Sequence, residues 1–207
     1  MKKLLLTAAA VFAFGFANAQ ESNGEGFEKG SMFLSGTASF GTTDMKSMDA
    51  KETSFVVAPK FGYFVTDNVA IGLGLGFGNS KIEANDSNDK VENKTTSFGA
   101  FGRYYVKTAK FAPFAELNVN YATTSTEYAK FMGQLIPFGN GVDINTLSVN
   151  VAPGFNYFFS DNFALETSVG ILGYSSSKAD VDGAKADSGF NIGLNFSNIN
   201  FGLIYKF

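Results

Sequence analysis

The sequence predicts an all-β fold, an eight-stranded antiparallel up-and-down β-barrel that crosses a membrane. Three observations lead to this prediction. Apolar residues alternate with small or polar ones at a period of two in eight runs. The connections between these runs alternate between short and long. The composition is rich in phenylalanine, with 24 residues, and in glycine, with 23, which favours strands and tight turns over helices.

The N-terminus has the pattern of a secretory signal peptide. Lys2 and Lys3 precede an apolar stretch that runs from Leu4 to Ala17, and the small residues Ala17 and Ala19 stand just before Gln20. This stretch is shorter than the roughly 20 residues that a membrane-spanning helix needs. We therefore predict a signal peptide over residues 1–19 and one barrel domain over residues 20–207.

Each predicted strand has a strongly apolar face opposite a face of small, polar or charged residues. The clearest is "VAIGLGLGFG", whose glycines do not form a G-x-G-x-x-G nucleotide loop because Phe77 stands at the third glycine position. The strands approach the 9 to 11 residues that a tilted strand needs to cross a bilayer, which favours lipid on the apolar face. In order, the predicted strands are residues 30–41, which form the weakest run, 55–65, 69–78, 97–107, 111–121, 147–159, 163–171 and 199–207.

Short and long connections alternate along the chain. The tight ones are residues 66–68, 108–110 and 160–162, whereas residues 42–53, 79–96, 123–146 and 175–189 are long and polar. Outer-membrane barrels have this arrangement, with short turns in the periplasm and long loops outside the cell. The sequence therefore predicts a protein of the cell outer membrane, surrounded by outer-membrane lipid and lipopolysaccharide.

Two of the tight turns belong to an internal repeat. "VAPKFGYFVTDNVAI" and "VAPGFNYFFSDNFAL" are identical at nine of fifteen positions. Three-residue hairpin loops usually need a left-handed residue at the third position, which asparagine tolerates, so we expect that conformation at Asn68 and Asn162. Together with Asp67 and Asp161, they are interpreted as periplasmic turn residues and not as an enzymatic site.

Four charged residues are predicted to point into the barrel. Arg103 lies directly across from Glu116 if Ala109 and Lys110 form a two-residue loop, and the same parity turns Lys60 and Glu166 inward. Eight strands leave an interior that side chains can fill, and buried charges persist only when they are paired. We therefore expect a plugged interior network of Lys60, Arg103, Glu116 and Glu166, with Phe64, Phe101, Phe114 and Phe158 also inside.

The composition argues against several classes of function. The chain has no cysteine and no histidine, the commonest metal ligands and general bases. Removal of residues 1–19 leaves 14 basic and 19 acidic side chains, which is no footprint for nucleic acid. The aspartates of "SKADVDGAKADSG" lack the spacing of a calcium loop. We expect no catalytic, cofactor-binding or metal-ligating residues, no cofactor and no nucleic-acid partner.

The C-terminal sequence "NFGLIYKF" places Asn200, Gly202, Tyr205 and Phe207 at fixed offsets. This pattern resembles the signal by which the barrel-assembly machinery recognises outer-membrane proteins, and it implies that machinery as a partner during biogenesis. With the signal peptide, the eight strands and the "GYFVTDNVAIG" turn, the mature chain resembles the small outer-membrane β-barrel family that includes OmpA-type and OmpX-type barrels. The "ANAQ" cleavage context and the "P-x-x-GYF" hairpin are most similar to members from the Bacteroidetes.

The resemblance also bears on what the chain is expected to lack. The family contains barrel enzymes, such as lipid A palmitoyltransferases and deacylases, that rely on a histidine, and no residue of this sequence matches their motifs. Unlike full-length OmpA, the sequence ends at its last predicted strand, so we expect no peptidoglycan-binding domain. A carboxylate-catalysed activity would need a cleft and tuned pKa values.

The long connection over residues 124–145 is the main candidate for an interaction surface. Tyr128, Phe131, Met132 and Leu135 are spaced as on one face of a short helix. Such a helix would lie on the outer leaflet, cap the barrel mouth, dock an extracellular partner whose identity is unknown, or pack on its own rim.

Three functions follow from the predicted fold. The favoured one is a structural or surface-interaction barrel with a plugged interior. The first alternative is a narrow pore or small-ligand conduit resembling OmpW, which would need a continuous lumen. The second is a soluble lipocalin-like binding barrel, which would need an apolar lumen and a polar exterior.

Overall fold

The computed structural model describes residues 26–47, 49–84, 90–127, 130–131, 134–135, 142–193 and 199–207, so the predicted signal peptide lies outside the described residues. In these ranges, no helix is long and apolar enough to cross a membrane. The strands are β1 (Met32–Met45), β2 (Ala50–Phe64), β3 (Val69–Ala84), β4 (Lys90–Tyr105), β5 (Phe111–Glu127), β6 (Lys130–Phe131), β7 (Gln134–Leu135), β8 (Asp143–Phe158), β9 (Phe163–Val169), β10 (Leu172–Ala179), β11 (Asp187–Ile192) and β12 (Ile199–Lys206).

Eight strands form a closed antiparallel barrel in the order β1-β2-β3-β4-β5-β8-β9-β12. Neighbours in the ring are neighbours in sequence, apart from the short β6–β7 hairpin and the β10–β11 hairpin. The ring closes where residues 33–36 of β1 pair with residues 203–206 of β12. The predicted eight-stranded up-and-down barrel is therefore confirmed. We call its two ends the short-turn end, which carries the turns before Val69, Phe111 and Phe163, and the hairpin end.

The hairpin end differs from the prediction of long loops. Residues 42–45 and 50–53, predicted as loop, pair along β1 and β2, and residues 79–83 of β3 pair with β4 in the same way. The strands β4, β5 and β8 are extended in the same way, and polar side chains face each other across them, as in the Thr95–Thr124 pair at 2.9 Å and the Ser125–Asp143 pair at 2.6 Å. An apolar pattern cannot reveal such strands, because their cross-strand pairs are polar.

The seventh barrel strand is broken into β9 and β10 by a β-bulge. Gly154 pairs with Ser168 and Val151 pairs with Leu172, so residues 169–171 lie opposite only residues 152–153. One extra residue reverses the alternation of the strand. The alternation of residues 163–171 predicts Ile171 on the same lipid face as Phe163 and Leu165. That prediction is wrong beyond the bulge, where Leu172 takes the outward position opposite Val151.

The two faces of the barrel have the polarity of a membrane barrel. Large apolar side chains are exposed on the outside, including Leu73 at 66%, Phe98 at 62% and Phe201 at 72%. The inside holds buried aromatic residues and charges, among them Phe64 and Arg103. A lipocalin-like barrel has the opposite arrangement, so the exterior fits lipid and not water.

Candidate functional site

The centre of the barrel holds a charge cluster built on Arg103. Its Nε donates to Glu116 Oε2 at 2.6 Å, and its two terminal nitrogens donate to both oxygens of Glu166 at 2.6 and 3.0 Å. Arg103 lies directly opposite Glu116 in the β4–β5 register, whereas Glu166 comes from β9 across the interior. Arg103 is 2% exposed, and both carboxylates are also buried. The bidentate geometry is the one in which guanidinium and carboxylate bind most strongly.

Lys60 completes the charge cluster, which we define as Lys60, Arg103, Glu116 and Glu166. Its Nζ donates to Glu116 Oε1 at 2.7 Å, and its side chain is 30% exposed. The structure therefore brings together all four predicted interior charges. Two cations face two carboxylates, so the cluster as a whole is neutral.

Aromatic rings surround the guanidinium and close the space around it. The centroids of Phe33, Phe101 and Phe114 lie 5.5, 5.1 and 4.4 Å from the central carbon of Arg103. The rings fit because each of them lies against a glycine on the adjacent strand. A Cβ at Gly62 would overlap the ring of Phe33, one at Gly72 the ring of Phe101, and one at Gly154 the ring of Phe114. The alternation of large outward and small inward residues thus makes room for the interior phenylalanines.

Two further polar residues belong to the centre and were not predicted from the sequence. The hydroxyl of Tyr105 accepts hydrogen bonds from Arg103 at 3.3 Å and from Asn156 Nδ2 at 3.0 Å. Both residues are fully buried. In the alternation of their strands, Tyr105 and Asn156 fall on the inward face, and this pattern is the signal in the sequence that identifies them as interior residues.

The short-turn end is closed by a second unpredicted element, the segment before β1. The Phe27 ring lies under the barrel, 4.5 Å from the ring centroid of Phe64, 5.0 Å from that of Phe158 and 5.5 Å from that of Tyr105. Phe27 is 5% exposed, and the carbonyl of the preceding Gly26 accepts a hydrogen bond from Lys206 Nζ at 2.7 Å. We call this group of rings the aromatic plug: Phe27, Phe64, Tyr105 and Phe158.

The space on the other side of the charge cluster is open. A cavity of about 640 Å³ lies toward the hairpin end, with Lys60, Glu116 and Glu166 at its base. The interior is therefore divided into a filled half at the short-turn end and a hollow half at the hairpin end.

The repeated turns have a different basis from the predicted one. Of the described non-glycine residues, only Asp49 has a positive φ, so the left-handed conformation predicted for Asn68 and Asn162 is wrong. Their side chains reach the next strand instead: Asn68 Nδ2 donates to the carbonyl of Tyr105 and Asn162 Nδ2 to that of Lys206, each at 2.9 Å.

In each repeated turn, the hydroxyl side chain before the Asp-Asn pair stabilises the loop by a local hydrogen bond. Thr66 accepts a hydrogen bond from the N–H of Val69, and Ser160 accepts one from that of Phe163, each at 3.0 Å. Asp67 accepts from the N–H of Lys29, and Asp161 is exposed in the turn. These are local hydrogen bonds of the kind that let serine and threonine shape turns.

The third short turn is longer than the predicted two-residue loop. The assigned strands end at Tyr105 and resume at Phe111, and the N–H of Val106 donates to the carbonyl of Pro113 at 3.0 Å. The predicted register between Arg103 and Glu116 is present all the same.

The four residues of the predicted assembly signal lie on or beside β12 and do not form one cluster. Asn200 borders the cavity, and Gly202 lies against the backbone of Gly36 in the barrel seam. Tyr205 packs on Phe163 and Phe207, with each pair of ring centroids 4.9 Å apart.

The helix predicted near residue 130 is wrong where the structure describes it. Lys130–Phe131 and Gln134–Leu135 pair as two short antiparallel strands. Tyr128 and Met132 lie outside the described residues. Across the described ranges, no group of three acidic, histidine or cysteine side chains is arranged to hold a metal ion.

Comparisons with known proteins agree with this geometry. The model of a family described as the outer membrane protein beta-barrel domain matches residues 6–207. No curated protein matches the sequence. The structure is similar to that of OprG from Pseudomonas aeruginosa, with a TM-score of 0.54 and 15% identity over 89% of this chain and 99% of that one. It also resembles protein W from E. coli, with a TM-score of 0.49 and 16% identity over 87% of this chain and 99% of that one.

At such identities the likeness to solved structures concerns the fold, whereas the family match covers almost the whole sequence. The barrel, its apolar exterior and its polar, aromatic interior are what an outer-membrane location requires. This chain therefore belongs to the outer membrane protein beta-barrel domain family, and its place is the cell outer membrane.

Proposed function

We propose that this protein is a plugged outer-membrane barrel with a structural and surface-interaction role. The observation that carries the proposal is the filled half of the barrel, where the charge cluster and the aromatic plug occupy successive layers of the interior. A solute would have to separate buried ion pairs and packed rings to pass, and buried ion pairs are costly to break. The proposed role is non-enzymatic and uses the polar hairpins that stand at the other end.

The test is conductance of the purified barrel in planar lipid bilayers. We expect no stable ohmic current from the natural sequence, because both layers close the short-turn half. A variant with Phe27→Ala, Phe64→Ala and Arg103→Ala combined removes parts of both layers and is expected to conduct. The gel shift between boiled and unboiled samples must first establish that each protein is a folded barrel. A large, stable conductance of the natural sequence would overturn the proposal.

A second candidate function is a conduit for small ligands. The cavity of about 640 Å³ favours it, because its lining includes the outward-facing Leu172 and Ile192 as well as inward polar groups. Such a conduit would connect the hairpin end with the lipid and leave the plug intact. An assay of dye release from vesicles that contain a lipid-soluble dye distinguishes this function. Dye release that depends on the barrel supports a conduit, and dye release equal to that of vesicles without the barrel excludes one.

We also propose that the partners are outer-membrane lipid and lipopolysaccharide, and the barrel-assembly machinery during biogenesis. Supporting this, Tyr205 and Phe207 pack edge to face at the end of β12 on the outer surface, where a receptor for the last strand has access to both rings. Phe207→Ala is expected to lower the amount of heat-modifiable protein in outer membranes several-fold. The matched change Phe201→Ala, also on the outside of β12, is expected to have a smaller effect.

A further inference from the structure

The cavity at the hairpin end is lined by polar side chains, four of which have no hydrogen-bond partner among the residues that the structure describes. Thr37, Ser168, Asn191 and Asn200 all border it. No hydrogen bond joins any of these four side chains to another residue that the structure describes. Asn118 and Asn150 differ, because Asn150 donates to Asn118 at 3.2 Å and Asn118 donates to Glu116 at 3.2 Å. Each of these four side chains offers both a donor and an acceptor.

The base of the cavity carries no net charge. It is formed by Lys60, Glu116 and Glu166, whose charges are balanced within the cluster by Arg103. A charged ligand would have to give up its hydration without meeting an unpaired opposite charge, which is unfavourable. A neutral ligand does not pay this penalty, so the electrostatics of the base favour one.

The opposite side of the cavity is apolar. Ile171, which the β-bulge turns from its predicted outward position, borders it together with Leu172 and Ile192, whose side chains face the outside of the barrel. A volume of about 640 Å³ lies in the range of roughly 300 to 1,000 Å³ that is typical of small-ligand sites. The cavity thus combines uncharged hydrogen-bonding groups on one side with the aliphatic side chain of Ile171 on the other.

From these observations we infer that the cavity binds a neutral saccharide. A sugar ring has hydroxyl groups at its edge, which match paired donors and acceptors, and a face of C–H groups, which matches the aliphatic side. This inference rests on the proposed surface-interaction role and gives it a ligand class, an uncharged mono- or disaccharide unit that enters from the hairpin end.

The binding test uses the barrel in lipid nanodiscs without glycoside detergents. Side-chain amide signals of Asn191 and Asn200 are followed by NMR while maltose is added, and glucuronate, glucosamine and octanoate serve as anionic, cationic and apolar-tailed comparisons. We expect saturable shifts with maltose and at least tenfold weaker binding of the two charged sugars. No shift with maltose, equal binding of all three sugars, or tighter binding of octanoate would each overturn the inference.

Variants locate the site. Asn191→Ala removes two hydrogen-bonding groups and Ser168→Leu fills the cavity, and each is expected to weaken maltose binding at least tenfold. The matched control is Asn93→Ala, which changes the same residue type at the outer end of β4, where Asn93 accepts from Thr126. If the control weakens binding as much as Asn191→Ala, the site is elsewhere. Conductance tests the plug separately, so absence of saccharide binding with a closed barrel refutes only the ligand class.

Discussion

The charged residues inside this barrel are stabilised by the groups around them. Arg103 is tolerated in the interior because two carboxylates and three aromatic rings replace its water. Removal of such a residue leaves the partners buried without compensation, which costs more than the pair itself contributes. The effect of a substitution in the charge cluster therefore depends on which charge is left behind.

Arg103→Met is expected to destabilise the barrel by about 3–5 kcal/mol, because Glu116 and Glu166 lose their shared partner. Urea unfolding in lipid vesicles, followed by the folded and unfolded bands on a gel, measures the change in the free energy of unfolding. Adding Glu116→Gln and Glu166→Gln to the same chain is expected to restore much of the loss. If the triple variant is no more stable than Arg103→Met, uncompensated charge is not the cause. The control Lys60→Met acts on a partly exposed side chain and is expected to cost about 1 kcal/mol.

Glu92 near the end of β4 shows how a neutral neighbour controls ionisation outside the membrane. The side-chain N–H of Asn79 donates to its carboxylate at 2.7 Å, and this hydrogen bond, ahead of the attraction of Lys94, lowers the pKa of Glu92. A lowered pKa stabilises the fold above the ordinary value for glutamate, and this contribution is lost as the pH falls through the lowered value.

Asn79→Ala is expected to raise the pKa of Glu92 toward its ordinary value, because the stabilising donor is gone. The carboxyl carbon of Glu92 reports this in an NMR pH titration. Asn93→Ala changes the next position along the strand without touching the Asn79–Glu92 bond, and it should leave the titration in place. An unchanged midpoint in Asn79→Ala would show that the hydrogen bond is absent in solution.

At the scale of strands and turns, the sequence predicts the apolar parts of elements better than the polar ones. The run 69–78 is recognised by its strict alternation, but residues 79–84 continue β3 with polar side chains and were predicted as loop. Their pairing depends on partners on the other arm of the hairpin, such as Glu92 opposite Lys81, which the alternation within one strand does not contain. The bulge before Leu172 is invisible for the same reason, since it is defined by the neighbouring strand.

The repeated turns make an element-scale prediction about asparagine. Because the Asn68 side chain bonds the carbonyl of Tyr105 and its φ is not positive, Asn68→Gly and Asn68→Ala should both lose about 1 kcal/mol of stability. Asn162 should behave alike through its bond to Lys206. Urea unfolding in vesicles measures each change. A glycine variant as stable as the natural sequence would mean that backbone conformation, and not the side-chain bond, selects asparagine.

At the scale of the whole molecule, the interior of the barrel is filled at the short-turn end and hollow at the hairpin end. The four predicted interior charges could be placed inside from parity alone, because each strand has one polar face. Phe27 could not, because the segment before β1 has no alternation that ties it to the barrel. Its position follows from the fold as a whole, in which the mouth at the short-turn end leaves room for one more ring.

Phe27→Ala tests whether this ring is a support or a gate. The change removes contacts with Phe64, Phe158 and Tyr105 and is expected to cost about 3 kcal/mol in urea unfolding. The charge cluster above remains, so bilayer conductance should stay closed. Opening of a current by this single change would make Phe27 the only barrier. Lys29→Ala, two residues along the same segment, is the matched control and is expected to leave stability nearly unchanged.

The unequal ends of the barrel have a consequence for membranes of different thickness. Near the short-turn end, a band of exposed rings that includes Tyr63, Tyr104, Phe111, Tyr157 and Phe163 stops abruptly at the turns. Toward the hairpin end, the exterior changes gradually from Phe98 to the threonines and serines of the extended strands. A hydrophobic mismatch is therefore absorbed on one side: the leaflet at the short-turn end holds the aromatic band at a fixed depth. A thicker or thinner bilayer changes only how much of the outer strands is immersed.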